Sequence, residues 1–424
     1  MKIFNILILI SIIPLVGVML LILIPGRYNS YCFNAALFIS SLTFILSLIM
    51  WLIFDSGHNS FQFLCTIDWL PAFNFYYTVG VDGISLFFLI LTTFLIMVCV
   101  LISWGSINYR LKEYLINFLL LEFLLIQVFS VLDLLLFYVF FESILMPMFL
   151  IIGIWGSRER KIRAAYQFFL YTLVGSVLML LGILIIYSHG GTTDLQMLWN
   201  LEFSEKKQIF LWVSFFLSFA VKIPMMPFHI WLPEAHAEAP TAGSVILAGI
   251  LLKMGAYGFL RFSLPMFPFA TVFFTPLIFV LSLIATIYAS LTTLRQVDLK
   301  KIIAYSSISH MGFVTIGIFT LNVQGLEGSI FLMLSHGLVS SALFFCVGIL
   351  YDRYHTRVIK YYSGLVQVMP IFSIFFLFFS FANIGFPGTS SFVGELLVLI
   401  GTFQSSFILT LFTGFSLVLG TAYS

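Results

Sequence analysis

Apolar runs of about twenty residues recur along almost the whole chain, and about 20 apolar residues is what an α-helix needs to cross a bilayer. The runs lie near 3–24, 33–54, 83–103, 114–131, 133–155, 164–187, 209–227, 242–262, 271–291, 301–320, 327–350, 367–386 with 391–403, and 406–424. Thirteen membrane-spanning helices are therefore expected in an all-α polytopic membrane protein. Of 424 residues, 61% are hydrophobic and 8% charged, against roughly 25% charged in a soluble domain. A large water-facing core is excluded. Two connections are polar: 55–82, with Asp55, His58, Asp68 and Asp82, and 188–208, with Asp194, Glu202, Lys206 and Lys207. The first run follows Met1 and Lys2, exceeds the usual length of a signal-peptide core and has no small-residue cleavage site behind it, so a retained first helix is expected.

Orientation follows from where Lys and Arg fall between runs. Connections after odd-numbered runs carry Arg27, Arg110, Lys112, Arg158, Arg160, Lys161, Arg163, Arg295, Lys300, Lys301, Arg353, Arg357 and Lys360; those after even-numbered runs carry Lys206, Lys207 and Arg261. This bias places the N-terminus outside and the basic loops toward the cytoplasm or matrix. The cluster Arg158 to Arg163 reads as a topology signal rather than a phosphate site. The net charge of +2 suggests neither an acidic partner nor a nucleic acid.

Two runs look broken. Pro224, Pro227 and Pro233 follow Lys222, and Asn383-Ile384-Gly385-Phe386-Pro387-Gly388 precedes Glu395. Proline removes a backbone donor and clashes with the preceding turn. Irregular backbone at membrane depth survives only where protein or a wet cavity covers it. Paired breaks in the two halves of a transporter point to its binding site. Here they fall in runs 7 and 12, an odd offset that fits inverted repeats over runs 4–8 and 9–13.

Ionisable residues inside these runs are the candidate functional groups, since a charge at the bilayer centre costs roughly 2.5–3.5 kcal/mol on insertion scales. Glu142 lies midway along run 5, Lys222 at the first break, Lys253 in run 8 and Glu395 beyond the second break. A buried lysine that alternately gains and loses a carboxylate partner loads and releases a proton. His310 and His336, in runs 10 and 11, suit relay positions because imidazole titrates near neutral pH; each also fits an interhelical hydrogen-bond donor. Nearby Ser306, Ser307, Ser309, Ser335, Ser340 and Ser341 either hold relay water or allow close packing. Glu122 in run 4 is a carrier or a structural carboxyl with equal claim. Asp133 sits at a run boundary, where an N-terminal helix anchor is the alternative. His229 and His236, with Glu234 and Glu238, match no standard metal motif and read as a polar, wet break. Cys32, Cys65, Cys99 and Cys346 show neither CxxC nor metal spacing. There is no Gly-x-Gly-x-x-Gly, P-loop, haem or iron–sulfur pattern. Such a chain moves charge but does not itself oxidise or hydrolyse a fuel.

The run VKIPMMPFHIWLPEAHAEAPTAGSVILAGILLKMGAYGFLRF, Val221 to Phe262, resembles the signature of the antiporter-like subunits of respiratory complex I and of the related multisubunit sodium/proton antiporters. FYVFFESILMPMFLIIGIWGSRERKIRAAYQFFLYTLVGS, AYSSISHMGF and FPGTSSFVGE narrow the resemblance to the mitochondrial-type NADH:ubiquinone oxidoreductase. It covers essentially the whole chain. The resemblance implies fourteen helices, with helices 1–3 and an outer loop in 1–110, a first five-helix repeat in 111–262 (helices 4–8) and an inverted second repeat in 263–424 (helices 9–13). The sequence ends at Ser424, within what would be helix 13. It also implies roles: Glu142 pairing with Lys222, Lys253 as central relay, His310 and His336 continuing the axis, and Glu395 as terminal proton site. The implied function is proton translocation driven by NADH oxidation and ubiquinone reduction on other subunits, which would carry the NADH, FMN, iron–sulfur and ubiquinone sites. The alternatives are a sodium/proton antiporter subunit and a passive spacer of the membrane arm. Implied partners are neighbouring antiporter-like subunits and lipid, cardiolipin included. The implied location is the mitochondrial inner membrane, or the plasma membrane of a bacterium.

Overall fold

The computed structural model of the chain describes residues 5–107 and 109–424; the Met1 and Lys2 start lies outside them. Two compact units divide the chain, Met1–Ser204 and Glu205–Ser424. The described residues are mostly helical, and ten of their helices are long and apolar enough to cross a membrane, beside shorter apolar helices.

The first unit opens with α1 (Ile6–Leu23) and α2 (Asn29–Ile53). Residues 55–82, expected to be only a polar connection, instead form an antiparallel hairpin of β1 (Gln62–Leu70) and β2 (Phe75–Val81), with Thr66 opposite Thr78 and Asp68 opposite Tyr76. Asn74 makes its tight reversal in the left-handed region, φ 54°, which Asn tolerates. Then come α3 (Gly83–Ser103) and α4 (Leu111–Ser130). Asp82 starts α3 with a reciprocal capping box to Ser85. The next crossing, Leu134–Trp155, is two pieces, α5 (Leu134–Ser143) and α6 (Leu145–Trp155). Pro147, four residues after Ser143, lacks the N–H that the Ser143 carbonyl would receive, so the ladder opens at Ile144. Finally, α7 (Lys161–Gly190) is followed by the short α8 (Leu195–Leu198).

The second unit begins with α9 (Glu205–Lys222), then α10 (Trp231–Glu238). The crossing Thr241–Met266 is built from α11 (Thr241–Ile246), α12 (Leu252–Gly258) and α13 (Leu264–Met266), joined by π-type turns at Leu247–Leu251 and Phe259–Ser263. Beyond it lie α14 (Pro268–Thr293), α15 (Leu299–Phe319), α16 (Val323–Tyr354), α17 (Leu365–Val368), α18 (Pro370–Ile384), α19 (Ser390–Ser405) and α20 (Phe407–Tyr423). The runs expected at 209–227, 367–403 and 406–424 fall on α9, which begins with charged residues, on the interrupted α17 to α19, and on α20. Helices α16 and α19 pack closely because glycines meet: a Cβ on Gly328 would stand 2.8 Å from Leu397 Cβ, and one on Gly394 would stand 2.9 Å from Leu332 Cβ.

Three cations assigned to loops are not solvated. Arg261 lies within the second π-type turn, where its Nε donates to Tyr257 Oη at 3.1 Å. Lys300 and Arg357 are each only 1% exposed. Local sequence composition marks these three as loop charges; tertiary packing brings apolar walls and carbonyls around them.

Candidate functional site

Helix α9 stops at Lys222 because Pro224 and Pro227 cannot donate to its last turn. A lysine there meets the negative end of the helix dipole, and Lys222 is buried. Trp231 Nε1 donates to Val221 O at 3.0 Å, occupying a carbonyl beside the break. His229, in the gap, is half-buried, with its ring 6.1 Å from that of Tyr288.

Lys253 sits on α12 just past the first π-type turn, and turns of this kind occur often at functional sites. It is wholly buried. Its Nζ donates to Ala248 O at 2.5 Å, on that turn, and lies 2.8 Å from Nδ1 of His336 on α16. The His336 ring is 5.4 Å from the ring of His310 on α15. His310 Nδ1 in turn lies 3.4 Å from Glu395 Oε1 on α19. Four elements thus deliver Lys253, His336, His310 and Glu395 into one buried line. Tyr423 of α20 lies at its far end, close to Ser309 and within electrostatic range of Glu395.

The second break shapes the Glu395 end. Helix α18 ends with Gly385 in the left-handed region, φ 77°, and a Cβ there would overlap Glu395 Oε2. Glycine answers both demands, and Ser391 Oγ donates to Ala382 O to tie α19 to the end of α18. The six serines near the histidines are satisfied locally. Ser306 and Ser307 both donate to Ile303 O at 2.9 Å, Ser309 to Ser306 O, Ser335 to Leu332 O, Ser340 to His336 O and Ser341 to Leu338 O. Their geometry fits small residues that permit close packing.

In the first unit, Glu142 is half-buried on α5, two residues before the opening at Ile144 and near Tyr138. Glu142 and Lys222 therefore belong to different units. Glu122 on α4 is fully buried; Thr43 of α2 donates to its Oε1, and no protein group among the described residues reaches Oε2. Asp133 caps α5: its Oδ1 accepts from Leu136 N at 3.0 Å and its Oδ2 from Thr193 Oγ1 at 2.5 Å. Burial pushes its carboxyl above the usual aspartate range. A helix anchor accounts for this geometry.

A second buried polar group surrounds the end of α10. Arg357 donates to Ala237 O, and Lys300 Nζ donates to Ala239 O at 2.8 Å. His236 is fully buried, its ring stacked on Phe344 at 4.7 Å. Sequence reading placed Lys300 and Arg357 among loop charges and named Gly385 only as part of the second break. A usable signal was present for the first: Asp298 caps α15 with Lys300 two residues behind it, which draws Lys300 into helix rather than loop. Among the described residues, no three His, Cys, Asp or Glu side chains gather as metal ligands.

Residues 131–420 match the family model described as NADH:quinone oxidoreductase/Mrp antiporter, TM. The chain is 72% identical over 424 residues to NADH-ubiquinone oxidoreductase chain 4 of Chondrus crispus, covering 100% of this chain and 86% of that one. It is 62% identical over 411 residues to the chain 4 protein of Arabidopsis thaliana, covering 97% and 83%. Among solved structures it superposes on a chain of respiratory complex I from Thermus thermophilus with bound NADH, TM-score 0.89 at 31% identity, covering 98% and 86%. A chain of an archaeal membrane-bound sulfane sulfur reductase shares the fold, TM-score 0.87 at 18% identity, covering 99% and 86%.

Proposed function

This chain belongs to the NADH:quinone oxidoreductase/Mrp antiporter family, and we propose that it works as a proton-translocating membrane subunit of the chain 4 type in an NADH:ubiquinone oxidoreductase. The observation that carries this reading is the buried line of Lys253, His336, His310 and Glu395 across α12, α16, α15 and α19. Burying four ionisable side chains is costly unless they are paired. Each has an ionisable neighbour along the line, and the line ends on an acid. A Lys253 ammonium donates to a His336 Nδ1 that is bare, so the pair holds one mobile proton between two basic sites. His310 stands between that pair and the Glu395 carboxylate, which accepts the proton at the far end. Moving a charge through 100 mV costs about 2.3 kcal/mol, so the drive is the redox reaction of other subunits, which carry the nicotinamide, flavin, iron–sulfur and quinone sites.

Glu142, in the first unit, and Lys222, in the second, are further proton carriers in this reading, with the chain as two inverted repeats, 111–262 and 263–424. The neighbours would be other antiporter-like subunits of a mitochondrial inner-membrane complex. Lipid, cardiolipin included, suits the apolar groove of about 620 Å³ between α16 and α18, with Arg353 at one end. Relatives at 52–72% identity carry the oxidoreductase name, which favours this reading over a sodium/proton antiporter subunit.

The deciding variant is Lys253→Met in the assembled complex. Proton uptake coupled to quinone reduction should be lost through this chain, while NADH oxidation by an artificial electron acceptor persists. Wild-type proton stoichiometry and rate would overturn the proposal and leave a passive spacer.

A further inference from the structure

We propose that Lys300 is a further proton-carrying residue, exchanging protons with Lys253 by way of the His236 imidazole. This rests on the proton-translocation reading above. Lys300 lies in the first turn of α15, where the positive end of the helix dipole disfavours a cation, and it is 1% exposed. Its ammonium is held by Ala239 O at 2.8 Å and by Ser244 Oγ at 3.5 Å. Ser244 Oγ is also 3.2 Å from the carbonyl of His236. The His236 ring has no surface exposure, and no protein group among the described residues bonds to either ring nitrogen. It lies within electrostatic range of both Lys300 and Lys253, and His336 senses it as well. A neutral imidazole with one donor and one acceptor nitrogen free can pass a proton between the two lysines.

The competing role for Lys300 is a fastener that holds the end of α10. Arg357 already fills it: Arg357 donates to Ala237 O, and its own carbonyl accepts from Leu299 N at 3.0 Å. Arg357 also stacks on Tyr351, with Cζ 4.3 Å from the ring centre. An arginine keeps its proton in every protein environment, whereas a buried lysine releases one readily. The cluster thus holds one permanent charge and one that titrates. The groups facing Lys300 complete it: Arg357 repels its charged form, while Asp298, Asp352 and Glu238 favour it.

The test is Lys300→Arg in the assembled complex, read by proton uptake coupled to NADH:quinone turnover. Arginine keeps the cation and the hydrogen bonds but not the transferable proton. Loss of coupled proton uptake, with assembly and NADH oxidation by an artificial acceptor unchanged, is expected. Wild-type uptake in Lys300→Arg would make Lys300 a fastener and overturn the inference. Should Lys300→Arg fail to assemble, His236→Gln decides: it keeps a buried polar side chain but removes the titrating ring, slowed uptake supports the link and a wild-type rate overturns it. Lys253→Met, measured alongside, separates the two claims. If it abolishes uptake while Lys300→Arg does not, only this inference falls; if it pumps normally, the functional reading falls first.

Discussion

Lys253 Nζ stands 2.8 Å from His336 Nδ1 and donates to the Ala248 carbonyl at 2.5 Å. Both side chains are buried. Such a pair is held together by a single proton: with both groups charged it repels, and with both neutral it loses its charge-assisted bond. Replacing His336 with Leu should leave the Lys253 charge held by one carbonyl. We expect destabilisation of about 1–3 kcal/mol from the lost partner, visible as a lower melting temperature of the detergent-solubilised complex. Coupled proton uptake should be lost with it. His336→Gln, which restores an acceptor but no titrating group, should recover the melting temperature and not the uptake.

Gly385→Ala probes the opposite end. A methyl group there overlaps Glu395 Oε2 and is built at φ 77°, a conformation costing a non-glycine residue roughly 1–2 kcal/mol. The carboxylate has to leave its place 3.4 Å from His310. Quinone-coupled proton uptake should fall as far in Gly385→Ala as in Glu395→Gln. If Gly385→Ala pumps normally, the glycine cradle plays no part in holding the acid.

Asp133→Asn separates a helix cap from a proton carrier. Asparagine caps as well as aspartate, whereas Asp133→Ala should cost about 1 kcal/mol. Burial raises the folded-state pKa of Asp133 above its unfolded value. The protonated form is therefore favoured by folding. The stability this contributes is complete below the ordinary aspartate range and is lost as pH rises through the raised value. Melting temperatures of wild type and Asp133→Asn should diverge in that window, with wild type losing ground as pH climbs. Unchanged proton uptake in Asp133→Asn is the expected result for an anchor.

Glu122 is a fully buried acid of the first unit, and Thr43 is its one side-chain donor among the described residues. Thr43→Val should destabilise the unit by about 1–3 kcal/mol by stranding a buried carboxyl oxygen. Glu122→Gln, which keeps the acceptor for Thr43 and removes a buried ionisable group, should match or exceed wild type in melting temperature. Reduced proton uptake in Glu122→Gln with intact stability would make it a carrier.

Much of this was legible from residue types alone. Lys253 and Glu395 announce themselves because nothing charged belongs in such apolar surroundings, and prolines 224 and 227 locate the first break by chemistry that no tertiary contact can repair. The β1–β2 hairpin was not legible: Leu64, Ile67 and Trp69 are all exposed in β1, which blurs the apolar–polar alternation that marks a strand. Lys300 and Arg357 were misplaced for a different reason. A cation between two apolar runs looks solvated, and only the carbonyls of Ala237 and Ala239, some sixty and more than a hundred residues away in sequence, draw them inside. Sequence spacing holds no trace of that meeting. The alignment of His336 with Lys253 likewise depends on the π-type turn, whose extra residue per turn is invisible to a pattern of 3.6.

Helix α15 carries Lys300 near its beginning and His310 ten residues later, about 15 Å further along its axis at 1.5 Å per residue. Its first end is tied to the Arg357 carbonyl through Leu299 N at 3.0 Å, while the His310 imidazole stands 3.4 Å from Glu395, just past the span of a good hydrogen bond. A helix held this way would act as a lever pivoting at its first end. Tilting it by about 4° would swing the imidazole by about 1 Å, enough to make or break conduction to the acid. A small mechanical input at one rim of the protein would then act as a throttle on the far side, without any side chain changing its rotamer.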